Sequence, residues 1–144
     1  MRTLISRLAL LTLTLSPVAC GGDGGSSFSP SVDNVAGSYT ALSFTITSGA
    51  GTTDLLAIGS TVTVTLAPDG TTTGRLFVPG GGENGADLDV DLTGTWTLSG
   101  STVTFNQGAD SFLSGATFTA TQNRLTSEGV FQGSTIRLVL GKSS

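Results

Sequence analysis

Between Leu88 and Leu98 the chain alternates without a break. Leu88, Val90, Leu92, Gly94, Trp96 and Leu98 share one parity, and Asp89, Asp91, Thr93, Thr95 and Thr97 take the other. A period of two is the geometry of an extended strand, whose successive side chains point to opposite faces; a helix cannot sort such a pattern into a dry side and a wet side. The run predicts one long strand, buried on one face and solvated on the other. Such a strand needs neighbours for its backbone N–H and C=O groups and a core for its apolar face.

The remaining chain offers both. Val62, Val64 and Leu66 alternate with Thr61, Thr63 and Thr65, and Pro68-Asp69-Gly70 then turns the chain into a partner strand, Thr72 to Val78. Leu42, Phe44 and Ile46 alternate, with Tyr39 on the opposite parity, which predicts a bulge near Ala41. Pro79 to Gly85 reads as a mobile loop. Gly94, inward beside Trp96, leaves room for the indole or for a sharp bend. Ser99-Gly100-Ser101 turns into a strand with Val103 and Phe105. Phe118 lies in a strand from Ala116 to Thr121, and Leu125 to Phe131 leads through Gln132-Gly133-Ser134 to Ile136, Leu138 and Leu140.

No stretch reads as helix, and charged residues make up only 11% of the chain, against roughly 25% in ordinary soluble proteins. About eight short antiparallel strands with tight connections predict an all-β fold. An eight-stranded up-and-down barrel is favoured over a β-sandwich, because few long crossovers are present and closure removes exposed strand edges.

The first residues carry a different message. Arg2 and Arg7 precede the apolar run Leu8 to Leu15, Ser16-Pro17-Val18-Ala19 ends on a small residue, and Cys20 follows. A basic start, a short apolar run and a small-residue exit describe a secretory signal, and the run is too short to span a bilayer. Val18-Ala19-Cys20-Gly21 resembles the lipobox of bacterial lipoproteins, whose cysteine is acylated and becomes the new N-terminus. Gly21 to Ser27 then reads as a flexible spacer. The expected organisation is a signal peptide at 1–19, a lipidated Cys20 with its tether at 20–34, and one β-domain at 35–141. By the same resemblance the protein belongs to the cell envelope, on the outer membrane or cell surface.

Two segments echo each other. Val35-Ala36-Gly37-Ser38-Tyr39-Thr40 and Leu92-Thr93-Gly94-Thr95-Trp96-Thr97 both read apolar-x-Gly-hydroxyl-aromatic-Thr. The pattern resembles the Gly-x-Trp opening strand of the lipocalin-like (calycin) barrels. That resemblance covers roughly residues 35–141 and implies a lipocalin-like barrel able to carry a small apolar ligand.

Composition removes much other chemistry. The chain has no histidine and one cysteine, so Ser-His-Asp and Cys-His catalysis, histidine zinc sites and an internal disulfide are all excluded. Without Arg2 and Arg7, ten acids face Arg75, Arg124, Arg137 and Lys142, about −6 in net charge. That balance excludes nucleic acid as a partner. Asp87, Asp89 and Asp91 share one strand face but stand about 7 Å apart, too far to clasp one cation, so a solvated face is expected and no metal site.

The glycine loop at 79–85 and Gly141-Lys142-Ser143-Ser144 lack the context of a phosphate cradle. Glu83 and Glu128 have no partner that would make them a catalytic pair. The expectation is therefore a monomeric, non-enzymatic protein without cofactor. Phe44, Trp96, Phe105 and Phe118 are the candidate lining of a site for a small apolar molecule. In the alternative these rings fill a closed core, and the domain acts structurally or through its loops. Residues 47–60, with Leu55, Leu56 and Ile58, are read as a lid, a partner-binding loop or a plug.

Cys20 generates the first prediction. The processed protein should fractionate with membranes and carry acyl chains on residue 20, as read by mass spectrometry. Cys20→Ser should shift it to the soluble fraction or stall its processing. A wild-type protein that is soluble and unacylated would sink the assignment.

Overall fold

The structure, a computed structural model, describes residues 27–108 and 111–144. Cys20, the export segment and most of the Gly/Ser run lie outside the described residues. A short helix α1 (Val32–Val35) precedes β1 (Gly37–Ser48), β2 (Gly51–Asp54), β3 (Thr61–Leu66), β4 (Thr71–Val78), β5 (Leu88–Asp91), β6 (Gly94–Ser99), β7 (Thr102–Gln107), β8 (Thr117–Thr121), β9 (Arg124–Phe131) and β10 (Ser134–Lys142).

Eight strands close a ring in chain order, β1-β3-β4-β6-β7-β8-β9-β10, with β10 returning to β1 and every neighbour antiparallel. The fold is the up-and-down barrel, and not the sandwich. β2 and β5 lie outside the ring, on β1 and β4 respectively.

The barrel has two unlike ends. At one, β3–β4, β6–β7 and β8–β9 are joined by tight turns, and α1 and the last residues of β10 gather beside them. This is the closed end. At the other, the mouth, the β2–β3, β4–β5 and β7–β8 connections are longer.

The bulge in β1 falls where the parity break demanded it. Ala41 faces Leu140 and Ser43 faces Val139, so Leu42 is the extra residue. One added residue restores parity, and both Tyr39 and Phe44 turn inward. Leu42 does not join the buried face that its spacing from Phe44 suggested. It is 56% exposed and covers Gly141, where a Cβ would come within 2.6 Å of the Leu42 side chain.

The long strand also differs from expectation. Its parity holds throughout, but Leu92 and Thr93 separate β5 from β6. Gly94 is required by the neighbouring backbone rather than by the indole: a Cβ there would lie 2.2 Å from the carbonyl oxygen of Asn106 on β7. The glycine lets the backbone of β6 approach that of β7 closely.

Order at the N-terminal side begins before residue 35. Ser31 accepts from the Asn34 N–H while the Asn34 side chain accepts from the Ser31 N–H, a reciprocal cap on α1. Val35 is buried at the end of that single turn. The 79–85 segment forms a short 3-10 turn, Glu83–Gly85, tied internally by the Gly82 N–H to the Ala86 carbonyl at 2.7 Å.

Inside, paired strands set their apolar residues face to face: Trp96 opposite Phe105, Val103 opposite Phe118, and Leu125 between Ala120 and Leu140. Phe105 and Phe118 have ring centroids 4.8 Å apart in a tilted pair. Each such side chain contributes about 1.5–3 kcal/mol on burial. Trp96 is 4% exposed and donates from Nε1 to the Ala67 carbonyl at 2.8 Å, so its one polar atom is satisfied. Trp96→Ala should therefore cost about 3–5 kcal/mol in chemical denaturation, and wild-type emission should be blue-shifted. A red-shifted spectrum or a nearly neutral substitution would contradict this packing.

Candidate functional site: the barrel mouth

Strand parity delivers Phe44 and Ile46 from β1, Val78 from β4, Leu88 from β5 and Ile136 from β10 to the inner wall near the mouth. Leu55 and Ile58 descend from the β2–β3 connection, Phe112 from the β7–β8 connection, and Phe131 ends β9. Together they line a recess of about 340 Å³ that is open to solvent. Its size lies in the range of small-molecule sites, and its walls are predominantly apolar. Phe112 stands between Phe44, at 5.4 Å and nearly stacked, and Phe131, at 6.5 Å edge-on.

The four aromatics singled out in the sequence do not share this place. Phe44 borders the recess. Trp96, Phe105 and Phe118 pack nearer the closed end, 4%, 2% and 1% exposed, and fill that part of the interior with each other and with leucine. Sequence reasoning missed Phe112 and Phe131. Phe112-Leu113, an apolar pair between two serines in a connection, was the available signal.

The 47–60 stretch is partly strand, since β2 extends the sheet beside β1. Leu55 is buried at 9%, while Ile58 remains 51% exposed on the rim.

Carboxylates hold the rim loops. Asp54 Oδ1 accepts the N–H of Leu56 at 3.0 Å and of Ala57 at 3.4 Å. Asp87 Oδ1 accepts the N–H of Gly80 at 2.9 Å, across the β4–β5 connection. Asp89 forms a two-point ion pair with Arg75 on the outer wall. The Arg75 hydrogen bond holds the Asp89 carboxyl below its ordinary value. Its contribution is thus present above the usual carboxylate range and fades as pH falls through the depressed value. Solvent keeps that contribution small.

Asp54, Asp87 and Asp89 are thus engaged separately, and no group of three metal-binding side chains occurs among the described residues. One further polar pair lies within the barrel wall: Gln107 Nε2 donates to Thr72 Oγ1 at 3.1 Å, both residues buried.

Ser60, where β3 leaves the rim, is 4% exposed, and its Oγ is the one buried side-chain polar atom without a partner among the described residues. A buried hydroxyl left unmatched costs about 1–3 kcal/mol. Ser60→Ala should therefore be neutral or stabilise the fold by up to about 1 kcal/mol in thermal unfolding; a clear loss would mean that the hydroxyl is bonded. Neither a scan against protein-family models nor a search of curated proteins returns a match, so the function of the mouth rests on its own geometry.

Proposed function

We propose that this is a lipid-anchored cell-envelope protein whose lipocalin-like barrel binds a small apolar molecule at its mouth, without catalysis. The observation that supports this reading is the recess of about 340 Å³ lined by Phe44, Leu55, Val78, Leu88 and Phe112. Burial of apolar surface contributes about 25 cal/mol per Å², and the partly exposed rings and aliphatic groups at the rim have that surface still to bury. Phe131 and Ile58, 42% and 51% exposed, stand at its edge.

A second reading has its own support. The interior around Trp96, Phe105 and Phe118 is filled, and Val130 projects outward at 75% exposure. A closed domain that works through its loops fits those two facts.

The Cys20→Ser chain, purified without detergent, should bind N-phenyl-1-naphthylamine at one saturable site. Ile58→Asp places a charge on the rim at an exposed position and should weaken that binding by about tenfold or more, with the fold intact by circular dichroism. No saturable binding would overturn the carrier reading in favour of the loop-interaction one.

A further inference from the structure

The barrel wall parts beside the mouth. β9 pairs with β10 along its whole length, from Arg124 to Phe131. On its other side it meets β8 only through Arg124, Leu125 and Thr126. The cause lies in β8 and the segment before it, which lean toward β7: Thr117 and Phe118 pair with Thr104 and Val103. The Gly115 N–H donates to the Phe105 carbonyl at 3.0 Å and the Phe105 N–H to the Ala116 carbonyl at 3.1 Å. Ser114 Oγ adds a bond to the Gln107 carbonyl at 3.3 Å. From residue 127 onward no strand pairs with β9 on that side among the described residues.

The gap is a second recess, of about 330 Å³, and its lining differs in kind from that of the mouth. Ser111, Ser114, Thr117 and Ser127 bring hydroxyls, and among the described lining residues Glu128 brings the one charged side chain. Phe112, Phe131 and Ile136 border both recesses, so the two adjoin across a single aromatic partition.

Space on the inner face comes from Gly129, which sits opposite the buried Ile136. A Cβ built on Gly129 meets no atom within 4 Å. The apolar pattern of β9 thus gives way, after Leu125, to a serine and a void.

We propose that the two recesses form one site for a single-chain amphiphile with a neutral, hydroxyl-rich head: the chain fills the mouth, and the head lies in the cleft between β8 and β9. This rests on the mouth being a ligand site. Hydroxyls and unpaired strand backbone match a hydrogen-bonding head. Glu128 is offset by Arg137 across the β9–β10 pair, 3.9 Å away, and it is the acidic balance of the chain as a whole that disfavours an anionic one.

Octyl glucoside and octanoate, each below its micellar concentration, and octanol below its solubility limit are set to displace N-phenyl-1-naphthylamine from the Cys20→Ser chain. Octyl glucoside should act at a concentration about tenfold lower than octanol, although octanol is the more apolar, and octanoate should be weakest. Gly129→Phe fills the cleft and should abolish the advantage while the fluorophore still binds. Thr117→Val, isosteric at an exposed position, should reduce it about threefold or more. If the fluorophore binds but octyl glucoside gains nothing over octanol, or keeps its gain in both variants, the amphiphile assignment falls and the mouth site stands. If the fluorophore itself fails to bind, both fall.

Discussion

Eight pairs between the first and last strands, Tyr39 with Lys142 through Thr47 with Thr135, hold this molecule in one piece. Remove them and β1 and β10 become open edges, each with a row of unmatched backbone groups. Closure comes with a geometric demand, since a ring of eight strands leaves an interior just wide enough for side chains to fill. The bulge at Leu42 meets part of that demand by turning both Tyr39 and Phe44 inward. Gly141 gives the displaced Leu42 a place to lie on the outside.

The echo between residues 35–40 and 92–97 acquires a physical sense at the closed end. Gly37 and Gly94 each open a strand, and two residues later an aromatic ring is buried. Tyr39 donates its hydroxyl to the Val35 carbonyl at 2.6 Å, and Trp96 its indole N–H to the Ala67 carbonyl at 2.8 Å. Both rings are apolar bodies with a polar tip bonded to a local carbonyl. Burial raises the pKa of Tyr39, so the hydroxyl keeps its donated proton well into alkaline solution. The closed end is thus fixed by two aromatic anchors, while the mouth is walled mainly by loops and aliphatic groups.

That division also explains what could be read in advance. The strands were legible because a period of two survives any detail of pairing, and Asp87 to Leu98 kept its parity even where the strand broke. The break itself was not legible: β5 pairs with β4 as far as Asp91, and β6 takes up new pairings with β4 and β7 from Gly94, a change of partner that leaves the parity untouched. The four residues of α1 are too few to show a period.

At the candidate site, the inward placing of Phe44 was legible because it lies on a strand. That of Phe112 and Phe131 was not, because a loop residue and a strand end carry no parity to argue from. The cleft was hidden for a deeper reason. Nothing in Thr117-Phe118 states that these residues will pair with β7 on one side and release β9 on the other.

The placement of the chain ends has a consequence for orientation. Lys142 Nζ donates to the Asn34 carbonyl at 2.8 Å, and the Ser143 N–H to the Ser38 carbonyl at 2.8 Å, so both ends of the described chain gather at the closed pole. A tether that pulls on the N-terminal side therefore pulls on the pole pinned by Tyr39 and Trp96. On any surface to which the chain were fastened in this way, the mouth would be the far pole, turned toward the surrounding medium like a cup on a stem.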